Sequence, residues 1–307
     1  MDNANVGNVC KYDDSCGISV SGIPHFLFEW RITMFEQILK NVRQKTPLVH
    51  NITNYVTVND VANIVLACGG SPIMADDPKE VVDITSICNA LVINIGTLNE
   101  RTIESMILAG KAANKLGHPV VLDPVGAGAS SLRTNTVYQL LDEIRFAVIR
   151  GNLSEIKTVH AGSGNTKGVD AAAEDVINEG NLEEMIQFAK QVSKQTGAVI
   201  VITGAIDIVA NTNEAFAIRN GHPLMSKITG TGCMLTSVVA AYCGANPSEI
   251  LKSTAAAVSA MGYCGELAHQ KIEEMDAGTS SFRMYLIDVM SKLNFLQLQG
   301  GMNIENR

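Results

Sequence analysis

Aromatic side chains are scarce in this chain: they make up 5% of its 307 residues, and Trp30 is the one tryptophan. Hydrophobic residues nevertheless reach 46%, so a core has to be built from Ala, Val, Ile, Leu and Met. Aliphatic cores of this kind suit parallel strands packed between helices, because such strands read as continuous apolar runs. Basic residues are few as well. Lys and Arg number 23 against 31 Asp and Glu, for a net charge of −8. No basic stripe is visible, which argues against a nucleic-acid partner. No apolar run reaches the ~18 residues of a membrane span. The cysteines, Cys10, Cys16, Cys68, Cys88, Cys233, Cys243 and Cys264, form no C-x-x-C pair and no zinc-spaced Cys/His cluster. They fit free thiols in a reducing cytoplasm. There is no G-x-x-x-x-G-K-[ST] phosphate loop and no H-R-D or D-F-G set.

The first 33 residues read differently from the rest. They hold Asp13, Asp14 and a short apolar patch, Phe26-Leu27-Phe28, but not the basic start and continuous apolar core of a signal peptide. A clean amphipathic segment begins at Met34 and runs to Val42. Residues 1–33 are therefore expected to be an extension or tag, disordered and outside a single domain over 34–307.

Within that domain, aliphatic runs alternate with helical patterns. Strands are expected at Ala90–Ile95, Pro119–Asp123, Phe146–Arg150 and Ala198–Thr203, with a hairpin of Asp207–Ala210 and Ala215–Ile218 around the polar turn Asn211–Glu214. Helical patterns lie near 57–68, 99–116, 133–144, 181–196, 233–244, 247–271 and 279–293. This alternation predicts an α/β fold, a mostly parallel central sheet with helices on both faces. Ligands of such sheets bind beyond the carboxyl ends of the strands.

The turns at the strand ends are accordingly informative. They are Asn94-Ile95-Gly96-Thr97, Asp123-Pro124-Val125-Gly126-Ala127-Gly128, Arg150-Gly151-Asn152-Leu153-Ser154-Glu155 and Thr203-Gly204. Later comes Lys227-Ile228-Thr229-Gly230-Thr231-Gly232-Cys233, which leads into an apolar helical run. Glycines at that spacing let backbone N–H groups face one point, and the helix start adds unpaired N–H groups and the positive end of its dipole. That is an anion site suited to phosphate. Each piece also has an ordinary structural reading. Asp123-Pro124 ends a strand, Asn152-x-x-Glu155 matches a capping box, and Gly230-x-Gly232 is a turn before a buried helix. Together they make an inventory for phosphoryl transfer: carboxylates for Mg²⁺ and its waters, an arginine for phosphate charge, and backbone donors for the moving group.

The segments Pro47-Leu48-Val49-His50-Asn51-Ile52-Thr53-Asn54-Tyr55-Val56, Gly70-Ser71-Pro72-Ile73-Met74, Asp123–Gly128, Arg150-Gly151-Asn152-x-x-Glu155 and Thr229–Cys233, in that order, resemble hydroxyethylthiazole kinase of thiamine salvage. The resemblance runs from about Met34 to Phe295. It implies a ribokinase-like three-layer fold, a homotrimer, and phosphorylation of 4-methyl-5-(2-hydroxyethyl)thiazole by ATP. It further implies substrate contacts at Met74, Asn54, Gly96 and Gly230, and ATP contacts at Arg150 and Thr203. Mg²⁺ falls to Asp123 and Glu155, the latter through water, and the catalytic turn is Gly230, Gly232 and Cys233. In the wider superfamily an aspartate acts as base where this chain has Cys233. That departure leaves Cys233 two roles, as a base or as a contact for the substrate hydroxyl. Related kinases for hydroxymethylpyrimidine or pyridoxal share the fold but differ at Cys233 and over His50–Val56. A non-catalytic nucleotide-binding regulator on the same scaffold is the reading from another class.

Overall fold

The computed structural model describes residues 25–162 and 176–307. Its elements run α1 (His25–Lys45), β1 (Leu48–Ile52), α2 (Val58–Cys68), β2 (Ser71–Met74), α3 (Val81–Ile87), β3 (Ala90–Asn94), α4 (Glu100–Leu116), β4 (Val120–Asp123) and α5 (Ser131–Glu143). They continue with β5 (Val148–Asn152), α6 (Leu153–Gly162), α7 (Leu182–Thr196), β6 (Val199–Thr203), β7 (Asp207–Ala210) and β8 (Ala215–Ile218). A short 3-10 helix (Pro223–Lys227), α8 (Thr231–Ala245), α9 (Ile250–Glu274), α10 (Thr279–Lys292), α11 (Phe295–Gly301) and β9 (Ile304–Asn306) complete the described chain.

One sheet has the order β2-β1-β3-β4-β5-β6-β7-β8-β9. The strands from β2 to β6 pair in parallel and the last three antiparallel. Alternation along the strands separates two cores. Val92, Val121, Val148 and Val201 face a layer built with α1, α2, α8, α9 and α10. Leu91, Leu122, Ile149 and Ile200 face the opposite layer, which includes α4 to α7. This is the three-layer α/β/α arrangement expected from the period of two along each strand.

Two differences bear on the sequence reading. Helix α1 begins at His25, upstream of Met34. Pro24 precedes it, and neither glycine nor proline interrupts 25–45, so nothing local stops the helix at residue 34. Residues 1–24 lie outside the described residues. Strand β1 lies inside the Pro47–Val56 segment, which was not expected to be extended. His50 and Asn51 interrupt its apolar character but are buried on tertiary partners. His50 bonds Thr85 Oγ1 at 2.9 Å and the Ala75 carbonyl at 2.9 Å, and Asn51 Oδ1 accepts from Ser237 Oγ at 2.8 Å.

Candidate active site

Parallel pairing puts the carboxyl ends of β1, β3, β4, β5 and β6 on one edge. Asn94 ends β3 and Asp123 ends β4, directly opposite each other in register. Asp123 is fully buried. Its Oδ2 accepts from Asn94 Nδ2 at 2.9 Å and from Thr236 Oγ1 at 2.9 Å, and its Oδ1 lies 3.5 Å from Arg150 Nη1. Burial is the largest influence on this carboxyl and pushes it up to about 6, Arg150 opposing and the Glu155 charge adding to the rise.

Cys233 sits in the first turn of α8. Its Sγ accepts from Asn54 Nδ2 at 3.2 Å and Asn94 Nδ2 at 3.3 Å. Asn54 Nδ2 also donates to Asn94 Oδ1 at 3.1 Å, and the same oxygen accepts from Gly96 N at 2.9 Å. Asn54, Asn94, Gly96, Cys233 and Asp123 thus form one hydrogen-bonded cluster. Burial and then the Asp123 charge raise the Cys233 thiol above its ordinary range, against smaller opposing effects of Thr57, Asn54 and Asn94. A thiol raised above its ordinary alkaline range is neutral near pH 7. Met74 ends the edge strand β2, opposite Asn51 of β1.

The anion turn is built as its glycines require. Gly230 caps α8 at φ +88°, and a Cβ there would lie 2.6 Å from Thr57 Cγ2. A Cβ on Gly232 would lie 2.6 Å from Arg150 Nη1. The guanidinium therefore rests on the first turn of α8, and a side chain at 232 would displace it. Arg150 Nη2 donates to Thr203 Oγ1 at 2.8 Å, while its buried Nε has no partner. The Nη groups of a guanidinium resting on the first turn of α8 suit a phosphate oxygen. A cavity of about 510 Å³ opens from this corner, lined by Arg150, Thr203, Thr231 and Gly232 at one end and by Met225, Val258 and Met261 at the other. Asp207 also faces it, and burial pushes that carboxyl up to about 7.

Glu155 is placed differently. Its Oε2 accepts from Asn152 N at 2.8 Å while Asn152 Oδ1 accepts from Glu155 N at 2.8 Å, the reciprocal pattern of a capping box. Its Oε1 accepts from Gly126 N at 2.8 Å, tying the start of α6 to the turn after β4. Among the described residues no group of three or more His, Cys, Asp or Glu could hold a metal. The donors fit a Mg²⁺ that brings phosphate and water ligands with it, as this ion ordinarily does. Asp123 supplies one carboxylate, and each Glu155 oxygen keeps a lone pair for a water.

Sequence reasoning missed Asn94, Thr236 and Arg133. Asn94 was the one polar side chain in an aliphatic strand, and Thr236 lies one helical turn beyond Cys233; both signals were available. Arg133 donates to the carbonyls of Val125 and Gly96, joining two active-edge turns, and nothing local marked it.

The fold is that of the ribokinase-like α/β proteins. A ribokinase-like superfamily protein from Enterococcus faecalis V583 matches with TM-score 0.56 at 13% identity, covering 83% of this chain and 88% of its own, a likeness of fold. The chain belongs to the hydroxyethylthiazole kinase family, whose model matches residues 39–295. Hydroxyethylthiazole kinase of Clostridium acetobutylicum is 61% identical over 261 residues, 85% of this chain and 95% of that protein. The structure of the hydroxyethylthiazole kinase protein of Pyrococcus horikoshii OT3 matches with TM-score 0.79 at 34% identity, over 90% of this chain and 99% of its own.

Proposed function

We propose that this protein transfers the γ-phosphoryl group of ATP to the primary hydroxyl of 4-methyl-5-(2-hydroxyethyl)thiazole, in thiamine salvage. The observation that carries this reading is family membership over nearly the whole folded chain, joined to the convergence of Asp123, Arg150 and the α8 N-terminus on Cys233. The alcohol is received at Asn54, Gly96, Gly230 and Cys233, with Met74 on the edge strand. The phosphates lie at Gly230–Gly232, Arg150 and Thr203. In the transfer a new bond forms between the alcohol oxygen and phosphorus, the bridging bond to the β-phosphate breaks, and ADP leaves.

Such a reaction passes through a loose transition state, so positioning and charge matter more than a strong base. Cys233, neutral and hydrogen-bonded, serves as a contact for the hydroxyl. Asp123 is the acceptor for its proton. Mg²⁺ would neutralise phosphate charge, held by Asp123 and, through water, by Glu155. A homotrimer is part of this reading. Tyr55 and Val56, next to Asn54 in the chain, are 79% and 58% exposed, apolar area that a neighbouring subunit would cover. The kinase domain spans 34–307, and the free thiols Cys68, Cys88, Cys243 and Cys264 support a cytoplasmic setting.

A coupled assay of ADP release tests the reading, with the thiazole alcohol, hydroxymethylpyrimidine and pyridoxal as acceptors. The expected outcome is a kcat/KM for the thiazole alcohol at least about 100-fold above the others, and dependence on added Mg²⁺. Equal turnover of all three acceptors, or none of any, overturns it.

A further inference from the structure

Four residues of α9 hold the loop that closes the far end of the nucleotide cavity, and they recur at the spacing of one helix face: Gly262, Gly265, Glu266 and His269. A Cβ on Gly262 would lie 2.7 Å from the Asn220 carbonyl oxygen, and one on Gly265 would collide with Met225 Sδ. Helix and loop therefore touch backbone to backbone at Gly262, and at Gly265 the Met225 side chain lies on the helix. Glu266 Oε1 accepts from Asn220 Nδ2 at 2.9 Å and from Gly221 N at 2.9 Å, where Gly221 turns at φ +135°. His269 stacks on His222 with ring centroids 3.6 Å apart. Asn220 is further tied to the C-terminal strand region, donating to the Gly301 carbonyl at 2.8 Å and accepting from Asn303 N at 2.7 Å.

Asn220, Gly221, His222, Pro223 and Met225 line the same end of the cavity as Val258 and Met261 of α9. The charged end of that cavity lies at Arg150 and Gly232, so the flat, apolar part of a nucleotide falls against this wall. We infer that Glu266 is a positioning residue for the nucleotide, fixing through Asn220 and Gly221 the loop on which the base rests. This rests on the kinase reading. Glu266 touches no reacting atom. Gly221 is exposed, so water replaces its lost bond, and removing Glu266 shifts the loop more than it unfolds the protein.

The test is calorimetric titration of β,γ-methylene ATP with Mg²⁺ into the full chain, alongside steady-state kinetics. Glu266→Ala should raise the Kd of the analogue and the KM for ATP about tenfold, with kcat at saturation and KM for the alcohol within about twofold. Glu266→Gln should stay within about threefold, since its Oε1 still accepts both bonds. If the alanine variant does not fold, Gly262→Ala carries the same expectation, because its Cβ presses on the Asn220 carbonyl with Glu266 intact. Wild type that binds the analogue together with variants that bind it equally well, or that lose kcat and both KM values alike, overturns the role of Glu266. Wild type that binds no analogue at all sinks the kinase reading instead.

Discussion

Asp123 ends β4 and Glu155 lies in the first turn of α6, just past the neighbouring strand β5, yet their surroundings differ in what they leave free. Asp123 is enclosed, meets two polar side chains and one distant guanidinium, and is pushed up to about 6. Glu155 is partly open to solvent and accepts two backbone N–H bonds that fix a helix start and a turn. The first is costly to ionise and poorly compensated, which a fold would not keep for stability alone. The second braces the loops around it. Two acids that read alike along the chain therefore differ in what holds them: Asp123 is enclosed among side chains, and Glu155 is spent first on backbone N–H groups, with only water-mediated contact left to offer a metal.

The largest effect expected from this contrast is at Asp123. Asp123→Asn should lower turnover about 10²–10³-fold, the usual scale for removing one electrostatic group from a reacting centre. Its stability should behave oppositely. The folded carboxyl titrates about 6 and the unfolded one about 3.9. As pH rises through that window the unfolded chain releases the proton first, so ionising Asp123 removes stability, on the order of 2–3 kcal/mol by neutral pH. Denaturant unfolding of wild type should show this loss between about pH 4 and 6 relative to the variant. The kcat/KM of wild type should rise with pH on an acid limb near 6, reporting the free enzyme. A wild-type profile flat through that region, or a variant as active as wild type, breaks the contrast.

Glu155→Gln sharpens it. The amide keeps one acceptor oxygen but sets its NH₂ against the second backbone N–H. A loss of about 1–3 kcal/mol in unfolding free energy is expected, with turnover down about tenfold as the Gly126 turn loosens. If turnover instead falls as far as in Asp123→Asn while stability is unchanged, the water-mediated metal role of Glu155 outweighs its bracing one.

The same division explains what could be read in the chain. Strands β3 to β6 were legible because they are continuous aliphatic runs buried on both faces, and the hairpin because a polar turn separates two short apolar segments. Strand β2 carries Pro72, which an edge strand tolerates, and β9 pairs with β8 from far along the chain. Neither has a local signal. At the site, Asp123, Arg150, Gly230 and Gly232 stood out because they end strands or break the apolar runs. Asn94 and Thr236 did not, since their importance is a matter of register and helix phase: one faces Asp123 across a ladder, the other reaches it from a packed helix. The capping-box reading of Asn152-x-x-Glu155 was visible in the sequence, but its second tie, to Gly126, was not. The first helix starts at His25 rather than at Met34, because the clean amphipathic pattern marks where a helix packs and not where one begins.

The smallest effect is expected at Cys233, the residue that looks most like a catalyst. Its thiol is raised by burial and by Asp123, so ionising it would place a second negative charge beside a carboxylate already reluctant to ionise. A serine hydroxyl accepts from Asn54 and Asn94 as the thiol does and leaves the backbone donors of Gly230 to Cys233 in place. Cys233→Ser should therefore keep kcat within about fivefold of wild type, against the 10²–10⁴-fold that general-base catalysis commonly contributes. Its acid limb should stay near 6, because Asp123 sets it. A serine variant slowed about 10³-fold would assign the proton to the thiolate. A serine variant that is active but whose limb has moved would show that the thiol tunes Asp123 without taking the proton itself.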